Sequence, residues 1–159
     1  MARAMSHQKD VPDQQRALVV AVLESLFAAV DRRDWVALAR TLASEVGLDY
    51  GKPEVLSPEQ IVDRWKPLFA GLDKTDHRVT DFEVDVIGDT ARVHSRFHAS
   101  HFLNGAAHGD TWILDGAYDH ELVRTDGEWR VSAMKMTPGK SVGNAAIFED
   151  AKARTAAKE

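Results

Sequence analysis

Three features of this 159-residue sequence predict an α+β fold, with helices packed on one face of a curved, mostly antiparallel sheet. Up to Gly71 the apolar residues recur at three- and four-residue steps, the period of an amphipathic helix. Beyond it they recur at every second position, the period of a strand with one buried face. Two tight-turn signals, "IGDT" and "TDGE", punctuate the strand-like half and predict that its strands pair as hairpins.

Each element has its own signal. Residues 1–11 are polar and without period, and are expected to form a flexible leader ahead of a single domain over 12–155, with 156–159 as a tail. From Pro12, the residues Leu18, Val19, Val22, Leu26, Phe27 and Val30 mark a first helix. Asp34 is placed to cap a second, Trp35 to Leu42, by accepting an otherwise unpaired backbone N–H. "VGLDY" reads as a short strand ended by "GKP". Ser57, Pro58 and Gln60 form a capping-box start for a third helix, which Pro67 ends or kinks near its last turn. Two strand pairs follow, and the tail "SVGNAAIFEDAKARTAAKE" reads as a helix that frays into solvent.

Composition narrows the function. A net charge of −5, with Arg32–Arg33 as the only adjacent basic pair, argues against a nucleic-acid surface. No apolar run approaches the roughly 20 residues of a membrane helix, and the start lacks the apolar core of a signal peptide. A cytoplasmic location is therefore expected. The absence of cysteine excludes disulfides, thiolate metal sites and thiol nucleophiles.

The stretch "RVHSRFHASHF" concentrates three histidines. Strand alternation splits them: His94 and His98 share a polar face with Arg92 and Arg96, while His101 shares the apolar face with Val93, Phe97 and Ala99. Two imidazoles beside two arginines, without a third ligand, make a poor zinc site, so no metal is expected. A lone histidine on an apolar face is commonly a satisfied core residue. Its company favours chemistry: His77 opens the preceding strand, Asp31 ends the first helix and Tyr50 ends the short strand. A carboxylate, two imidazoles and a phenol converging on one cavity would suit proton transfer near neutral pH.

The stretch "VDRRDWVALARTLASEVGLDYGKP", followed by His77, the spacing to His101, "DGEW" and "AIFEDAKAR", resembles scytalone dehydratase. That enzyme is one of the SnoaL-like members of the nuclear transport factor 2-like superfamily of cone-shaped α+β barrels. The resemblance covers about residues 15 to 155 and implies that Asp31, Tyr50, His77 and His101 form an elimination site that needs no cofactor. Phe27, Val30, Trp65, Phe97, Tyr118 and Phe148 are expected to line the substrate pocket. Val30 stands where the resembled enzyme has a tyrosine, and Tyr118 falls near its pocket asparagine. Leu26 and Met134 replace the lysine and arginine of a related dehydrochlorinase, which disfavours halide elimination.

The expected function is a cofactor-independent dehydratase acting on a small hydrophobic cyclic hydroxy-ketone. Alternatives are an isomerase or cyclase of ketosteroid isomerase type, or a non-catalytic small-ligand-binding module. The resemblance implies a homotrimer, with a dimer as the alternative. One conflict stands inside the pattern: Phe82, Val84 and Val86 are inward by alternation, which would turn His77 outward. An inward His77 requires a bulge between His77 and Phe82.

Overall fold

The computed structural model describes the backbone of residues 2–158 and the side chains of residues 13–157. Four helices and six strands follow the chain in the order α1 (Ala2–Arg32), α2 (Trp35–Arg40), β1 (Leu42–Asp49), β2 (Pro53–Leu56), α3 (Pro58–Ala70), β3 (Lys74–Ile87), β4 (Thr90–Phe102), β5 (Thr111–Thr125), β6 (Glu128–Gly143) and α4 (Ile147–Lys158). The strands form one curved, open sheet in the order β2-β1-β6-β5-β4-β3. All neighbours are antiparallel except β1 and β6, which run parallel. The architecture is the expected α+β cone.

Local chemistry accounts for the helix starts. Asp34 accepts the Ala37 N–H at 3.0 Å and begins α2. Ser57 and Gln60 make the reciprocal capping box of α3, at 3.1 and 2.9 Å. One face of α1 buries Val19, Leu23, Leu26, Phe27 and Val30 against the inner face of the sheet. Each such apolar side chain contributes about 1.5–3 kcal/mol by leaving water.

Four expectations are corrected. Helical backbone begins at Ala2, inside the stretch read as a loose leader. α2 stops at Arg40, because Leu42 is drawn into β1 by its parallel partner Val131. The short strand at "VGLDY" is thus the second half of a longer one, and "PEVL" adds the edge strand β2, paired with Val46–Asp49. α4 begins at Ile147, the residues before it belonging to β6 and a turn.

The bulge that an inward His77 requires is present. Register shifts between Thr80 and Glu83, which pair with Arg96 and His94, and Asp81 takes a left-handed φ of 56°. Upstream of it Thr75, His77 and Val79 oppose His101, Ala99 and Phe97; downstream Val84 and Val86 oppose Val93 and Ala91. Both halves of β3 therefore turn their alternating set inward, one in odd and one in even positions.

Candidate functional site

The last turn of α1 delivers Asp31 to β3. Arg33 follows in a left-handed conformation (φ 60°) that stops the helix, and its backbone N–H donates to the Val30 carbonyl at 3.0 Å. Its guanidinium folds back, donating to the same carbonyl at 2.9 Å and to the Thr75 hydroxyl at 2.8 Å, and lies over the Phe69 ring at 5.3 Å. Thr75, buried, donates its own hydroxyl hydrogen bond to Asp31 Oδ1 at 3.0 Å.

Asp31 also accepts the backbone N–H of His77 at 2.8 Å through Oδ2, and meets His77 Nδ1 through Oδ1 at 2.6 Å. Burial alone would raise its pKa; the His77 bonds and the Thr75 hydroxyl outweigh that and hold the carboxyl below its ordinary value. An ionised Asp31 fixes the proton of His77 on Nδ1, so Nε2 is the free lone pair.

His77 lines an inner hollow of about 160 Å³ together with Phe27, Val30, Tyr50, Trp65, Phe69, Phe97, His101, Tyr118 and Phe148. The hollow thus gathers every anticipated site residue except Asp31, which stands behind His77 in a shallow outer cleft. The two imidazoles meet edge to face, centroids 6.0 Å apart. His101 Nδ1 lies 3.0 Å from the Trp112 carbonyl, an acceptor only, so Nδ1 carries the proton. Burial lowers the His101 pKa to about 4, against a smaller opposing effect of that carbonyl, and the ring is neutral at pH 7.

Tyr50 is 40% exposed and packs beside Trp65, with its hydroxyl turned toward that of Tyr118. Burial raises both phenols above their ordinary pKa, and their hydroxyls interact with one another. Tyr118 is clamped between Phe97 and Phe27, with centroids at 4.3 and 4.9 Å. Phe148 of α4 closes the hollow edge-on against His101, Phe69 and Trp112 at 5.2 to 6.0 Å.

Sequence reasoning missed Phe69, Trp112, Leu114 and Met136 as lining residues, and Arg33 and Thr75 as supports of Asp31. Trp112 and Leu114 were readable as inward by alternation, but nothing local says that their part of the sheet bounds a space rather than filling it.

The other two histidines of β4 face outward, as alternation requires. His94 pairs with Asp119 at 2.8 Å and His98 with Asp115 at 2.5 Å, each directly across the β4–β5 ladder. A wider groove of about 910 Å³ crosses this outer face, but it is lined largely by charged side chains and the edge strands. The inner hollow, with its converging imidazoles and phenols, is the better candidate for chemistry.

An open, curved sheet folded around such a hollow and closed by helices is a cone-shaped α+β fold built about an inner site. The chain belongs to the SnoaL-like domain family, whose model matches residues 14–135. Among solved structures it is similar to the Kfla4162 protein of Kribbella flavida, at 24% identity and TM-score 0.80 over 86% of this chain and 97% of that one. It is similar also to a candidate scytalone dehydratase of Novosphingobium aromaticivorans, at 16% identity and TM-score 0.75 over 86% and 91%. A third is the hexachlorocyclohexane dehydrochlorinase LinA-type3 of Novosphingobium barchaimii, at 18% and 0.71 over 83% and 91%. At these identities the likeness is one of fold. No curated protein matches the sequence.

Proposed function

We propose that the protein is a cofactor-independent lyase that removes water from a small hydrophobic cyclic hydroxy-ketone. The observation that carries the reading is the Asp31–His77 contact at 2.6 Å, with the second His77 nitrogen left to a hollow shared with His101 and two phenols. Solved structures of similar fold include proteins described as a candidate dehydratase and a hexachlorocyclohexane dehydrochlorinase.

In this reading His77 Nε2 takes the proton alpha to the ketone, and Asp31 stabilises the imidazolium that results. The carbonyl oxygen gains enolate charge and receives a hydrogen bond from Tyr50, whose own oxygen is supported by Tyr118. The electron pair then re-forms the carbonyl, the β-carbon–oxygen bond breaks, and the proton on His77 passes to the departing hydroxyl as water forms. Neutral His101, its Nδ1–H engaged by Trp112, accepts the hydrogen of that hydroxyl at Nε2 and holds the leaving group in place.

Asp31→Asn and His77→Ala are each expected to lower turnover of such a ketone about 10²–10⁴-fold with the circular dichroism spectrum unchanged. Near-normal turnover in either variant would remove the pair from the mechanism. One observation favours a second reading, an isomerase or cyclase: His101 offers no free donor to a leaving group. Turnover in heavy water separates the two, because isomerisation returns deuterium to carbon without loss of a water mass. The reading also carries a homotrimer assembled through the outer face of β4, with a dimer as the alternative.

A further inference from the structure

The dimensions of the hollow limit what it holds. A cavity of about 150 Å³ walled by leucine, isoleucine and phenylalanine accepts a benzene ring, whereas pockets for drug-sized ligands run to roughly 300–1,000 Å³. At about 160 Å³ this hollow stands at the single-ring end of that scale.

Its walls leave little room to expand. Phe97, Tyr118 and Phe27 form a continuous stack with centroid spacings of 4.3 and 4.9 Å, and Phe97 and Ala99 are buried on β4, which is paired on both sides by β3 and β5. A close-packed aromatic wall of this kind resists displacement. On the helical side, Trp65 and Phe69 are both more than nine-tenths buried. Less buried are Tyr50 and Leu68, 40% and 44% exposed, and Phe148, a partly buried side chain in the first turn of α4 that packs edge-on against His101, Phe69 and Trp112 and so is the one that closes over an imidazole. The neighbouring Ile147 and Ala151 are fully buried and anchor the helix, so Phe148 can be altered while α4 stays docked.

From these observations we infer that the ligand is a monocyclic ketone, one six-membered ring with its polar substituents, and that Phe148 sets this limit by excluding fused bicyclic and steroid skeletons. The inference rests on the hollow being the substrate site of the proposed lyase, and it narrows that substrate class. The polar groups agree with a small ring: His77 and His101 are adjacent, and Phe27 stacks on both His77, at 5.8 Å, and Tyr118, at 4.9 Å. The imidazoles and the phenols thus border one small hollow, within reach of a single ring.

Binding is tested with unreactive ketones of graded size, cyclohexanone, 1-tetralone and a four-ring 3-ketosteroid, by following the ring resonances of ¹³C-labelled His77 and His101. Saturable shifts are expected with cyclohexanone, binding about tenfold weaker or worse with tetralone, and no shift with the steroid. Phe148→Ala is expected to tighten tetralone by about tenfold and to change cyclohexanone little, with Phe148→Leu as the milder variant should the alanine form not fold. Tetralone or the steroid binding the wild-type protein as tightly as cyclohexanone overturns the inference, as does silence of both histidines toward cyclohexanone. The lyase reading fails separately: if 3-hydroxycyclohexanone binds and loses no water, the ring-size limit stands and the elimination does not.

Discussion

Two imidazoles, His101 and His120, are sealed in the interior at 4% and 1% exposure, and burial lowers the pKa of each to about 4. His101 has a partner for one nitrogen; His120, inward on β5 beside Tyr118 and Phe27, has none for either. Once the chain unfolds both titrate near 6.5. Between about 6.5 and about 4 the unfolded chain binds protons that the folded one refuses. Their contribution to stability is therefore complete above about 6.5 and declines as the pH falls toward about 4. Unfolding free energies from urea titrations at pH 7 and pH 5 should differ by on the order of 2 kcal/mol per imidazole. His120→Leu should remove about half of that difference and stabilise the protein at pH 5, since an apolar side chain of similar size leaves no orphaned polar atoms. An unchanged pH dependence in the variant would mean that His120 titrates normally. Residue type combined with strand parity identified His101 as unusual. It gave no warning of His120, which alternation places inward but whose want of a partner depends on neighbours from α1.

At the scale of elements, the β4–β5 pair shapes the hollow through a missing side chain. Gly116 sits opposite Phe97, and a Cβ at that position would lie 2.7 Å from the Phe97 ring and 2.5 Å from the Thr137 carbonyl oxygen. Only glycine lets Phe97 lie flat against the strand and stack on Tyr118. Gly116→Ala is expected to cost about 1–3 kcal/mol, as overpacked cores do, and to move Phe97 into the hollow. An unaltered denaturation midpoint would show that the ring has room to yield. Helix caps and hairpins were legible in the sequence because they are local: Ser57 with Gln60, and Asp126–Gly127, both at positive φ in the β5–β6 turn. The end of α2 and the existence of β2 were not, because the partner that claims Leu42 is Val131 and the strand that pairs with "PEVL" is itself misread without it. Parity supplied the inward and outward faces of β4 throughout, and its conflict at His77 located the irregularity in β3 before any coordinates did.

For the molecule as a whole, the outer face of the sheet is electrically divided. One groove is edged by Asp49, Glu54, Glu83, Asp85, Asp119 and Glu121 against Arg92 and Lys135; the other by Arg78, Arg96, His98 and Lys140 against Asp115. Internal pairs such as Arg92–Glu121 and Glu54–Arg64 offset part of this, but the two ends keep opposite sign. Opposed charges on one face suit contact with a rotated second copy better than with a copy facing it squarely. The proposed trimer predicts a light-scattering mass three times the 17.6 kDa of the chain, reduced by Arg96→Glu; a monomer at every concentration tested would dismiss it. Composition announced none of this, since a net charge of −5 conceals how the charges are sorted in space.

The bulge at Asp81 carries a consequence for how this strand can change over time. Asparagine or glycine there keeps the left-handed backbone, so the side chain is replaceable. The length of the segment is not: excising a single residue would swing the upstream imidazole to the far side of the sheet while altering no chemical group in the pocket. Selection on this stretch would then act on insertions and deletions more than on substitutions, with spacing as the inherited trait.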